Sequence, residues 1–139
     1  MTFLFITVIL LIMLKSLHHF LFHKEMSFMN KKMFVLEIFL TFMIVYSILI
    51  IGFGLVYFIL SFSGDVFINQ QKSDDASLNR LLTSIYFSGV TLLTIGYGDV
   101  SPVGVVRFLA VIQAMLGYAL PSLLVLRLLE MYQLLARNR

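Results

Sequence analysis

Residues 33–62 form a nearly unbroken apolar run, interrupted only by Glu37 and a few small polar side chains. At 1.5 Å of rise per residue this makes about 45 Å of helix, enough to cross the hydrocarbon core of a bilayer. A second run, 103–126, is also long enough to span, with Arg107 near its start and Gly117 and Pro121 in its second half. Of the 139 residues, 60% are hydrophobic and 12% are charged, about half the charge a soluble domain carries. Such a chain lacks the polar surface to coat a water-soluble globule, so an all-α membrane protein of two or three spanning helices is expected. No catalytic domain fits in the remainder, and no enzyme is expected. There is no cysteine, which excludes disulfides and thiolate ligands. The net charge of +3 comes from basic residues that flank the apolar runs, so the expected partner is the lipid bilayer and not nucleic acid.

The first 32 residues divide into an apolar helix and a basic linker. Met1 to Leu14 is apolar but for Thr2 and Thr7, and Lys15, Ser16, His18 and His19 interrupt its continuation to Phe22. The core is shorter than a full span, although Lys15 can snorkel and lengthen it. It lacks the leading lysines and small-residue site of a cleaved secretory signal, so it is expected to be retained. A third, peripheral spanning helix with its N-terminus outside is the preferred reading, with a helix on the cytoplasmic membrane surface as the alternative.

After the 33–62 helix, Ser63-Gly64-Asp65 reads as a stop, with Gly64 suited to the left-handed conformation that closes a helix. A polar turret, 63–77, follows. From Leu78 an apolar stripe at Leu78, Leu81, Leu82, Ile85, Tyr86 and Gly89 predicts a short helix over 78–93, preceded by capping residues Asp74, Asp75 and Ser77. It is too short to cross and return, so it is read as ending within the membrane. Lysines 15, 24, 31 and 32 face only Glu25, and Arg127, Arg137 and Arg139 face only Glu130, whereas the turret is acidic. The positive-inside rule then puts the linker and the 132–139 tail in the cytoplasm, the turret outside, and the protein in the cell membrane.

Between the short helix and the last span lies Thr94-Ile95-Gly96-Tyr97-Gly98-Asp99. Irregular backbone at membrane depth is tolerated only where it is buried in protein or lines a watery cavity. A cation satisfies such carbonyls. Gly96 and Gly98 alternate with bulkier residues, and glycine at positive φ lets consecutive carbonyls turn toward one axis. Ile95 and Tyr97 would then pack against the short helix, and the Thr94 hydroxyl would add one further oxygen layer.

This hexapeptide resembles the selectivity filter of potassium channel pore domains, which replaces the hydration shell of the ion with carbonyl oxygens. At average composition a Thr-[Val/Ile]-Gly-Tyr-Gly string arises by chance about once per million windows. The resemblance covers 33–131, in the order outer helix (33–62), turret, pore helix (78–93), filter (94–99) and inner helix (103–126). It implies a homotetramer around one pore, with K+ held at Thr94, Ile95, Gly96 and Tyr97, Gly98 completing the filter, Asp99 at the outer mouth, and no resident cofactor. Some members place on the pore helix a glutamate that pairs with this aspartate; here the position is Val90, so Asp99 lacks that partner. Tyr86 and Phe87 stand where a ring N–H often supports the filter tyrosine, and Thr91 is a further candidate partner for Tyr97. Leu93 replaces a common threonine. The function implied is passive potassium conduction. The alternatives are a weakly selective monovalent cation channel, or a non-conducting membrane subunit of a larger complex.

Pro121 cannot donate to the Gly117 carbonyl, and its ring presses on that turn, so the pair reads as a gating hinge. Bending there would swing Leu124 and Leu128 to or from the axis, making them the candidate inner gate by dewetting. His19 and His23 have a spacing that can bind a metal on a helix, though interfacial residues are the better reading. Glu37 and Arg107 are expected to snorkel, and Gln113 to bond a neighbouring helix. No regularly spaced arginine run supports voltage sensing.

Overall fold

The structure, a computed structural model, describes residues 2–22, 31–64, 66–68 and 76–137. The linker with His23, turret residues 65 and 69–75, and the last two tail residues lie outside the described residues. Four helices are present among the described residues: α1 (Thr2–Phe22), α2 (Lys31–Leu60), α3 (Ala76–Leu92) and α4 (Val106–Arg137). Two-residue strands β1 (Phe67–Ile68) and β2 (Ser101–Pro102) pair antiparallel, with Phe67 opposite Pro102 and Ile68 opposite Ser101. Val35–Leu60 and Val106–Glu130 are long and apolar enough to cross a membrane, whereas the apolar part of α1, Leu4–Phe20, is shorter.

Helix α2 is the spine. It packs against α1 and against both α3 and α4, which also pack on each other. Glycine makes two of these approaches close. A Cβ on Gly54 would stand 3.0 Å from the Ile85 Cα of α3, and one on Gly52 would meet the Met13 side chain of α1. Phe53, Tyr57, Phe67 and Phe87 form one buried aromatic group, with the Phe67 and Phe87 ring centroids 4.8 Å apart. Phe20, Phe42 and Tyr46 form another, over which the Arg127 guanidinium lies 5.1 Å from the Phe20 ring.

Three local details differ from the sequence reading. Gly64 does not adopt the left-handed conformation; instead α2 tightens, with the Ser61, Phe62 and Ser63 amides donating three residues back, and Arg80 donates to the Ser61 carbonyl, a cation at a helix C-terminus. Helix α4 does not stop near Leu126 but continues to Arg137, since Arg127 and Glu130 are compatible with helix and only mark where it leaves the apolar layer. The β1–β2 pair has no signal in a two-residue strand, and it is extended by the Val103 amide donating to Val66.

Candidate functional site

Helix α3 ends in a Schellman motif. The Ile95 amide donates to the Val90 carbonyl at 2.9 Å and the Thr94 amide to the Thr91 carbonyl at 3.1 Å, the two bonds that close such a turn. The Gly96 amide also reaches Val90, at 3.2 Å. Val90 and Thr91 thus hold the start of the 94–98 stretch by their carbonyls. The motif normally takes glycine at its left-handed position, but here Thr94 occupies it with φ 56°. A non-glycine residue there costs of order 1 kcal/mol or more, and such strain persists where its surroundings impose it.

Gly96 and Gly98 follow with φ 57° and 79°, so left-handed residues alternate with Ile95 and Tyr97. That alternation removes the side-to-side reversal of an extended strand and lets successive carbonyls share one side. The side chains expected to pack against α3 remain half or more exposed within one chain. Ile95 is half exposed and Tyr97 is 69% exposed, and among the described residues no hydrogen bond joins Thr91 to Tyr97. Leu93 to Asp99 form a continuous exposed segment.

Asp99 is held from α3: its Oδ2 accepts from the Tyr86 hydroxyl at 2.7 Å. The carboxylate raises the Tyr86 phenol above its ordinary range, so the hydroxyl remains the donor at neutral pH. Beyond Asp99, the β1–β2 pair anchors Ser101–Pro102 to the segment after α2, and Arg107 donates to the Pro102 carbonyl at 3.1 Å. Arg107 therefore has a specific structural partner.

Behind the stretch, fully buried Gln113 bonds three groups. Its Oε1 accepts from the Tyr57 hydroxyl at 2.6 Å, and its Nε2 donates to the Ser88 carbonyl and hydroxyl at 2.9 and 2.8 Å. The Ser88 hydroxyl in turn donates to the Ile50 carbonyl. This chain ties α2, α3 and α4 into one unit, as a buried amide requires.

Gly117 is buried, and a Cβ there would overlap the Leu92 carbonyl oxygen. Its glycine lets α4 approach the end of α3, a packing need that the hinge reading did not include. Leu124 and Leu128 line an apolar groove with Val35, Leu36 and Phe39 of α2 within one chain. The exposed stripe runs along Tyr118, Ser122, Val125 and Leu129. His19 and Glu37 are exposed, and no group of three or more metal-ligating side chains occurs among the described residues.

A family profile described as an ion channel (Ion_trans_2) matches residues 45–133. Protein LctB of Geobacillus stearothermophilus is 42% identical over 84 residues, covering 59% of this chain and 63% of that protein. Protein LctB of Bacillus caldotenax is 38% identical over 84 residues with the same coverage. The chain thus spans somewhat under two thirds of the length of these curated relatives. No solved structure matches it. The family match contains α3, the 94–99 stretch and all of α4 but its last turn, and it begins within α2. With its two apolar helices and a strained, irregular segment between a short helix and the last span, the chain is a membrane protein, not an enzyme, and belongs to the ion channel family.

Proposed function

We propose that the chain is one subunit of a homotetrameric potassium-selective channel of the cell membrane. The observation that carries this reading is the exposed run Leu93–Asp99, whose irregular backbone joins two helices of a membrane chain. Lipid cannot satisfy such backbone, so further copies and a hydrated axis must cover it. Four copies bring four sets of Thr94–Gly98 carbonyls together, and the alternation of φ supports stacked oxygen rings at which K+ exchanges water for carbonyl oxygen. Neighbouring copies then supply the packing that Ile95 and Tyr97 lack within one chain. Asp99, positioned by Tyr86, raises the local cation concentration at the outer mouth.

The linker and the C-terminus are cytoplasmic in this reading, by their basic residues. In this reading the apolar side chains of the last turns of α4, Leu124 and Leu128 among them, narrow the inner pore by dewetting. Liposomes containing the purified protein test the assignment. Potassium-driven flux, blocked by barium and abolished by Gly98→Ala, is expected, with cross-linking in mild detergent that proceeds to four copies. Absence of flux, or cross-linking that stops at dimers, contradicts it.

A further inference from the structure

Two backbone carbonyls near the base of the filter lack helical donors. Pro121 has no N–H, so the Gly117 carbonyl on α4 loses its usual partner. At the end of α3, the Schellman motif uses the Val90 and Thr91 carbonyls, and no filter amide donates to Leu92. The Tyr46 hydroxyl of α2 lies 3.0 Å from the Leu92 oxygen and 3.0 Å from the Gly117 oxygen. All three residues are buried, and the absence of a side chain at Gly117 brings the two carbonyls within reach of one hydroxyl.

A phenol has one proton. It is shared between the two acceptors or given to one of them. We infer that Tyr46 is a positioning residue that ties the Gly117–Pro121 turn of α4 to the end of α3, two residues before the filter begins; this rests on the proposed reading of 94–98 as an ion filter. When α4 moves Gly117 away, the proton passes wholly to the Leu92 carbonyl. When α4 returns, the bond is divided again. The position of the inner helix thereby sets how firmly the end of the pore helix is held, without any charged group in the path. The aromatic ring itself packs on Phe42, with centroids 5.1 Å apart, and Tyr46→Phe keeps that packing while removing only the proton.

The test compares the full-length protein with Tyr46→Phe, Pro121→Ala and the double variant. Open probability is read from single channels in potassium chloride, and amide hydrogen exchange is followed across 90–97 and 114–122. Tyr46→Phe is expected to shift the ratio of open to closed times about two- to tenfold, the range one hydrogen bond carries, and to speed exchange in both segments. In the Pro121→Ala background the new amide at 121 serves the Gly117 carbonyl, so the shift caused by Tyr46→Phe shrinks and exchange at 114–122 stops responding. A residue that only fills the core would lower stability equally in both backgrounds and leave the gating ratio alone. Equal effects of Tyr46→Phe in the two backgrounds, or faster exchange in only one segment of the Tyr46→Phe protein, overturn the inference. Failure of the unaltered protein to conduct counts against the channel reading instead, while the exchange measurement still decides whether the tie exists.

Discussion

The Tyr86 hydroxyl donates to the Asp99 carboxylate at 2.7 Å, joining α3 to the residue that follows Gly98. Val90 stands where some members of the resembled family carry a paired glutamate, and Asp99 has its anchor on the short helix one turn earlier. A neutral phenol donor does this without setting a second carboxyl group beside the first, which would raise one of the two pKa values.

Tyr86→Phe is therefore expected to preserve assembly and ion selectivity, because no filter carbonyl changes, but to shorten conducting bursts by releasing the segment after Gly98. Single-channel burst durations check this, and unchanged durations count against a role for the bond. The pH dependence has a definite sign. The carboxylate raises the Tyr86 pKa, so the stabilisation is fully present below the ordinary tyrosine value of about 10 and is lost as pH rises through the higher folded value. No Tyr86-dependent change is expected between pH 7 and 9.

Gln113 should be among the least replaceable polar residues. Gln113→Met keeps the volume but strands the Tyr57 hydroxyl and takes a donor from Ser88, at a cost of about 1–3 kcal/mol. Adding Tyr57→Phe removes the stranded phenol and should recover part of that loss. Unfolding of the detergent-solubilised protein measures both, and a double variant as unstable as the sum of the two single ones dismisses the network.

The three close-approach glycines should rank by what they touch. At Gly52 a methyl group meets only the flexible Met13 side chain, 2.8 Å from its Cγ, so Gly52→Ala is expected to cost under about 1.5 kcal/mol. Gly54→Ala meets the Ile85 backbone and is expected to cost about 1–3 kcal/mol. Gly117→Ala meets the Leu92 carbonyl directly and should be the worst, displacing α4 instead of simply straightening it. The order of thermal stabilities tests the packing.

Much of this architecture is legible in the sequence because membrane helices carry long apolar runs and because Thr94–Asp99 is a six-residue string with few alternative conformations. The left-handed Gly96 and Gly98 follow from residue type alone. What is not legible depends on contacts far apart in the chain. Nothing near Tyr46 announces that its hydroxyl meets carbonyls 46 and 71 residues away, and Thr94 at positive φ runs against local preference. Which face of α4 is buried is not legible for a different reason: an evenly apolar helix offers no polar side from which to infer it. The limit of α4 was missed because charge marks the edge of the bilayer, not the end of a helix.

Removal of residues 2–22 should leave ion selectivity intact while lowering stability. Helix α1 reaches the rest of the molecule through Met13 against Gly52, Phe20 against Phe42, and Arg127 over the Phe20 ring, and none of these contacts involves 94–98. Reversal potentials and melting temperatures of the truncated protein check the two halves of the claim separately.

Potassium selectivity by the backbone oxygens of Thr94–Gly98, as proposed, is decided by the bi-ionic reversal potential. With potassium on one side of a bilayer and sodium on the other, the reversal potential is expected to be displaced far from zero, with the sign that potassium permeation requires. A reversal near zero in a conducting protein would contradict potassium selectivity and leave a weakly selective cation channel in its place.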